Sequence, residues 1–221
     1  MIRVHVICEG QTEEMFIHQV LANYFISRDI YLYPSLIGKP GHKGGNFKFE
    51  RLLTDLRIRL QGDPDAYCTT FFDFYGLPNN FPGKTESQQK INSQEKSDCL
   101  LHMLSDALKE KLTKDPLRRF IPYIQMHEFE ALLFSDPAAL AQGIDRNELE
   151  RRFRGIREKF DSPEEINDNP ETAPSKRIIR IYSEYDKPIH GSLAALEIGL
   201  DKMRGECPLF NDWLNRLEAL A

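Results

Sequence analysis

Ile2-Arg3-Val4-His5-Val6-Ile7-Cys8-Glu9-Gly10-Gln11-Thr12-Glu13-Glu14-Met15-Phe16 is the stretch that decides the fold. Its opening residues are a β-branched run, cut off sharply by Glu9-Gly10. Thr12 then reads as a helix N-cap, with Glu13 and Glu14 in the first turn, where carboxylates complement the helix dipole. Phe16, Ile17, Val20, Leu21, Tyr24 and Phe25 follow at the spacing of one helical face. Working outward, residues 30–36 read as a second strand and the Gly-rich stretch 38–45 as a loop. Residues 47–60 read as a helix, and 67–72 as a continuous apolar strand ending at Asp73. Alternating strands and helices predict an α/β fold, with a largely parallel sheet flanked by helices.

Residues 76–95 are rich in Pro, Gly, Asn, Gln and Ser and read as a long loop, a length that is uncommon unless functional. A helix over 96–112 and a fourth strand over 119–125 follow. The segment His127-Glu128-Phe129-Glu130-Ala131-Leu132-Leu133-Phe134 is a short helix abutting that strand. Beyond Pro137 no strand is predicted. Helices near 146–160, 176–184, 192–204 and 208–220 are broken by the acidic, Pro-containing segment 161–174. The organisation is therefore an α/β domain over 1–136 with a helical C-terminal extension, 137–221, packed on it. Leu209, Phe210, Trp213, Leu214 and Leu217 share the packing face of the last helix.

The chain has 221 residues, 41% hydrophobic and 29% charged, which is ordinary for a globular protein. No apolar run is long enough for a membrane span. The N-terminus lacks the basic start and small-residue cleavage site of a secretory signal. Four scattered cysteines (Cys8, Cys68, Cys99, Cys207) form no CxxC pair, which fits reduced thiols and a cytoplasmic location. A net charge of -5 argues against binding nucleic acid by bulk charge alone.

In a parallel sheet the carboxyl ends of the strands share one edge, where ligands bind. Three of the predicted strands finish in an acid: Glu9, Asp73, and Glu128 with Glu130 close behind. Glu13 lies about one helical turn beyond Glu9 and can point back to that edge. Carboxylate oxygens of this kind make a Mg²⁺ or Mn²⁺ site and support phosphoryl transfer. Taken singly, Glu9, Glu13, Glu128 and Glu130 also read as helix-start residues, and Asp73 as the cap of a turn before Gly76.

These residues carry a resemblance. The strand leading into Glu9-Gly10-Gln11-Thr12-Glu13, then Asp73-Phe74-Tyr75-Gly76, resembles the Toprim-like group shared by topoisomerases, primases and overcoming-lysogenization-defect nucleases. More closely, the chain resembles an uncharacterised bacterial Toprim-like family. That likeness also takes in His127 to Ala131, the Thr172-Ala173-Pro174-Ser175-Lys176-Arg177 stretch, His190-Gly191 and Cys207-Pro208. It implies that Glu9 is the general acid or base at the metal edge, and that Asp73 is the first acid of an Asp-x-Asp pair. Tyr75 stands where the second acid belongs, and its phenol, with an ordinary pKa near 10, supplies no charge at neutral pH. Three readings follow: Glu128 or Glu130 completes the site, a single metal binds, or the site is not catalytic.

Lys176, Arg177, Arg180 and Lys187, followed by His190-Gly191 and Arg204, form a basic cluster. It reads either as solvated helix faces or as phosphate ligands, and the resemblance favours Lys176, Arg177, Lys187 and His190 as the ligands. Arg151, Arg152, Arg154 and Arg157, interleaved with Glu148, Glu150 and Glu158, read as a salt-bridged exposed helix. Residues 38–45 lack the Gly-Lys-Ser/Thr ending of a P-loop. The expected function is a Mg²⁺-dependent nuclease acting on nucleic acid. The resemblance supplies a partner, an ATPase of the AAA or ABC type in a phage-defence or mobile module. The rivals are a non-catalytic interaction module and a Mg²⁺-dependent phosphohydrolase of small substrates.

Overall fold

Seven residues that are mostly β-branched or apolar build β1 (Ile2–Cys8), in which Val4, Val6, Ile7 and Cys8 are buried. It is central: β2 (Ile30–Leu36) pairs with it in parallel on one side and β3 (Tyr67–Asp73) on the other. The computed structural model describes residues 1–38, 48–166 and 170–221. Between β1 and β2, α1 (Gln11–Phe16) runs through a π-helical turn, Ile17–Leu21, into α2 (Ala22–Ile26). The first turn is capped differently from the expectation. Gly10 is the N-cap, its amide donates to Glu13 Oε2 at 2.7 Å, and Thr12 is buried inside the helix. A glycine backbone with an acid three residues on supplies the same interaction as a hydroxyl cap from the other side.

α3 (Phe49–Gly62) leads to β3. The predicted loop after β3 contains a short helix, α4 (Lys84–Gln88), before α5 (Ser93–Lys109) and α6 (Lys114–Arg118). The fourth strand is present as two pieces, β4 (Phe120–Ile121) and β5 (Ile124–Gln125), both parallel to β3. Pro122 divides them because it has no amide to give the ladder. The Thr70 hydroxyl fills the gap, donating to the Tyr123 carbonyl at 2.8 Å and accepting the Tyr123 amide at 3.0 Å.

Among the described residues the elements that follow are helical, including α7 (Glu130–Leu133), α8 (Pro137–Gly143), α9 (Glu150–Arg157), α10 (Pro174–Ile181), α11 (Lys187–Ile198), α12 (Leu200–Glu206) and α13 (Pro208–Glu218). The helix predicted over 192–204 is two helices, because Gly199 turns the backbone at φ +78°, a conformation glycine adopts without cost. The architecture is thus α/β, a parallel sheet flanked by helices with a mostly helical C-terminal part.

Two apolar cores lie on the two sides of the sheet. One joins Ile7, Cys68 and Phe72 to Leu52, Leu56, Leu100 and Leu104. The other joins Val4, Val6 and Phe71 to Phe16 and, from the C-terminal helices, Ile178, Ala195, Phe210 and Trp213. Trp213 stacks on Tyr123 at 4.5 Å and on Phe71 at 5.4 Å, and its Nε1 donates to the Thr69 hydroxyl at 2.8 Å. All four cysteines are free thiols. Among the described residues no helix is long and apolar enough to cross a membrane.

Candidate functional site

The carboxyl ends of β1 and β3 place Glu9 and Asp73 on one edge, and the chain after β5 adds Glu128 and Glu130. Glu9 reaches across that edge: its Oε2 accepts the Asp73 amide at 3.2 Å. It lies so close to Gly76 that a Cβ there would stand 2.1 Å from Oε1. Asp73 Oδ1 in turn accepts the Phe129 amide at 2.8 Å, tying β3 to the chain after β5. Glu128 Oε2 accepts the Ser175 amide at 2.9 Å and so caps α10, whose own N-cap residue, Ala173, has no side chain to do it. Glu130 is 1% exposed, with Lys187 Nζ 3.2 Å from both of its oxygens.

The electrostatics couple these groups. Burial, joined by repulsion from Glu9, pushes Glu13 up to about 7. Burial and then repulsion from Glu13, Glu9 and Glu130 push Asp73 well above the usual carboxylate range. Burial also raises Glu9, with Glu128 adding to the shift and Lys187 and Lys84 opposing it. Burial opposes a charge on Lys187, but Glu130, Glu128 and Asp73 outweigh it and hold the ammonium protonated. Glu130 still rises to about 7, because burial exceeds the pull of its single cation.

Glu9, Asp73, Glu128 and Glu130 are the oxygen donors that could hold a divalent cation. Among the described residues no three His, Cys, Asp or Glu side chains are drawn together tightly enough to do so as they stand. Tyr75 has its amide on the His127 carbonyl at 3.2 Å and its ring 5.7 Å from the His127 ring.

Of the basic candidates, Lys187 joins the acid cluster through Glu130. Lys176 is exposed on the first turn of α10. Arg177 donates from Nε to the Thr172 carbonyl at 2.6 Å and lies over the Phe160 ring. His190 Nδ1 accepts the Asp186 amide at 2.7 Å at the start of α11, and its ring stacks on Tyr185. Arg204 is engaged by Glu218, by Tyr24 Oη at 2.8 Å and by Asn215 at 2.7 Å. The arginine-rich helix is salt-bridged as expected, Arg154 to Glu150 at 2.5 Å, while Arg157 reaches Glu206 at 2.7 Å. The Gly-rich loop beyond Gly38 lies outside the described residues.

Sequence reasoning missed Lys84 and Lys96. Both fold against the strand ends beside Glu9 and His127. Lys84 sits in a Pro- and Gly-rich stretch and Lys96 on an amphipathic helix, so neither has a spacing that announces a site. Only the fold brings them there.

No curated protein and no solved structure matches the chain. One family model does, over residues 8–218, from the strand end that carries Glu9 to the last turn of α13. The match spans nearly the whole sequence, and the chain accordingly belongs to the family described as Domain of unknown function (DUF4276).

Proposed function

We propose that this chain is a Mg²⁺- or Mn²⁺-dependent enzyme acting on phosphodiester bonds, a Toprim-like nuclease. It works in the cytoplasm beside a separate AAA- or ABC-type ATPase, in a defence or mobile module. One observation carries the reading: acids from separate segments of the chain meet at the carboxyl edge of a parallel sheet, and burial with mutual repulsion raises Glu9, Glu13 and Asp73 together. Carboxylates crowded in this way are stabilised by a cation, and hard oxygen donors suit Mg²⁺.

The donors suit the ion in charge and chemistry, and Glu9, Asp73, Glu128 and Glu130 are the residues that would hold it once drawn together. When bound, Mg²⁺ supplies neutralisation of phosphate charge and orientation of water. The chain's own residues do the rest. Glu9, partly exposed and lying close over Gly76, is placed to accept or return a proton. Glu13, held near neutrality, keeps a proton available one helical turn behind it. Lys187 keeps Glu130 in place. The chain's charge of -5 favours delivery of nucleic acid by the partner ATPase over capture by this chain alone.

The test is calorimetric titration with Mn²⁺ alongside plasmid nicking, for wild type, Glu9→Gln and Asp73→Asn, with and without an added AAA- or ABC-type ATPase. Loss of both binding and nicking in the variants supports the reading, and equal Mn²⁺ binding by all three proteins sinks it. A second reading, a non-catalytic interaction module, draws on Tyr75 at the second-acid position and on the lack of a ready-drawn group of three donors among the described residues. Absence of binding at millimolar Mn²⁺ in the wild type would select it.

A further inference from the structure

The acid cluster has a basic counterpart on the far side of Glu9. Lys84, the first residue of α4, is 2% exposed. Its Nζ donates to the Phe74 carbonyl and lies 3.4 Å from the centre of the Phe74 ring. Lys96, half-buried on α5, reaches His127 Nε2 at 3.4 Å. His127 is 1% exposed and packs against the rings of Phe74 and Tyr75. An ammonium only donates, so the imidazole accepts at Nε2 and carries its proton on Nδ1. That nitrogen is buried and makes no full hydrogen bond among the described residues. With Nε2 accepting from Lys96, the ring carries no charge of its own.

Among the described residues neither lysine forms an ion pair with a carboxylate; their polar contacts are a carbonyl, an aromatic face and a neutral imidazole. Burial lowers Lys84 to about 7, with Lys96 pushing the same way and Glu9 pulling back. Two amines that repel each other, one of them almost wholly removed from water, form an arrangement that a bound anion stabilises. Ammonium groups recognise phosphate oxygens as point charges.

We propose that Lys84 and Lys96 form an anion subsite for a phosphoryl group, backed by neutral His127 and set beside Glu9 on the rim of the acid cluster. A phosphate held there has lysines on one side and the carboxylate edge on the other. The inference deepens the phosphodiester reading, which it rests on only for the source of the phosphate.

The experiment uses the full chain with chelator present, so that the acids hold no metal, and inorganic phosphate as the probe. Wild type should bind phosphate by calorimetry. Lys84→Met and Lys96→Gln should each weaken it about tenfold, the loss of one charge-assisted hydrogen bond. Lys109→Ala, an exposed lysine paired with Asp106, is the control that should not change. Lys96→Gln carries the test if Lys84→Met fails to fold, because Lys96 is only half-buried. Absence of phosphate binding by wild type, or wild-type affinity in both lysine variants, overturns the subsite. Competition by an oligodeoxynucleotide upholds it with a nucleic-acid backbone as the source, and competition by pyrophosphate alone upholds it with a free phosphate. The enzyme reading fails separately: DNA nicking by a chain that binds no phosphate overturns only the subsite. Phosphate binding lost in the lysine variants of a chain that binds no Mn²⁺ keeps the subsite and removes the nuclease.

Discussion

Gly76→Ala tests whether Glu9 is held where the site needs it. A Cβ at this position would lie 2.1 and 2.2 Å from the two Glu9 carboxylate oxygens, far inside van der Waals contact. The obstacle is the end of a flexible side chain, so Glu9 swings away and the backbone stays. Displacement breaks the Asp73 amide bond to Glu9 Oε2, now 3.2 Å long. A hydrogen bond to a charged acceptor contributes about 1.5–3 kcal/mol. Replacing glycine by alanine returns roughly 0.4–1 kcal/mol through the unfolded chain, and removing Glu9 from its acidic neighbours returns part of the remainder. The net cost should be about 1 kcal/mol, a fall of about 2–4 °C in melting temperature for a chain of this size. Mn²⁺ affinity, by contrast, should fall as far as in Glu9→Gln. Urea unfolding and Mn²⁺ calorimetry on the same preparation separate the two effects. A loss above about 3 kcal/mol would mean that the backbone moves, and unchanged Mn²⁺ binding would mean that Glu9 is not a ligand; either refutes the reasoning.

Three further outcomes are expected. Glu9→Gln should melt at or above the wild-type temperature, because it keeps an acceptor for the Asp73 amide and removes a charge that repels Glu13 and Asp73; a fall of several degrees in a thermal scan would contradict this. Glu164, 1% exposed and accepting the Leu209 and Phe210 amides, is raised by burial to about 7, so its stability contribution is full below about pH 4.5 and is lost as pH rises through 7. Urea unfolding at pH 5 and 7.5 should show a smaller difference for Glu164→Gln than for wild type, by up to about 3 kcal/mol, and an unchanged difference would remove the assignment. Trp213→Ala should cost about 3–5 kcal/mol, and Trp213→Phe should fold while losing the Thr69 hydrogen bond, at a cost of about 1 kcal/mol in urea unfolding.

Periodicity made the sheet legible. A β-branched run ending in Glu9-Gly10 and an apolar run ending in Asp73 each have one interpretation, and β1 and β3 end at Cys8 and Asp73. The same edge logic marked Glu9, Asp73, Glu128 and Glu130. The split of β4 from β5 depends on a Thr70 hydroxyl replacing a ladder bond, an interaction across the fold that a local pattern does not encode. Capping by Gly10 was hidden because the acceptor is the third residue on, while Thr12 looks like a cap to any local rule. The basic residues were the least legible. A run of Lys and Arg marks charge but not its partner: Arg204 and Arg157 are taken by Glu218 and Glu206, whereas the isolated Lys84 is buried with no acid bonded to it among the described residues.

The acids themselves argue against a purely structural cluster. Four of them accept a backbone amide: Glu13 that of Gly10, Glu9 that of Asp73, Asp73 that of Phe129, and Glu128 that of Ser175. A neutral acceptor such as Asn, Gln or Ser also holds an amide, more weakly per bond but without mutual repulsion. Buried carboxylates at these positions, with Lys187 as the cation bonded to Glu130, raise the proton affinity of Asp73 and Glu13 and destabilise the fold near neutral pH. Capping therefore accounts for where the carboxylates point but not for why they are carboxylates. The proposed cation at the edge would account for both, because it would convert the repulsion into binding energy while the amide bonds hold the oxygens in place. Lys84 and Lys96, which have no carboxylate partner among the described residues, raise the same question with the sign reversed, and the proposed phosphate would answer it. Two charge imbalances of opposite sign, meeting at Glu9, are the features on which the proposed metal-assisted phosphoryl site rests.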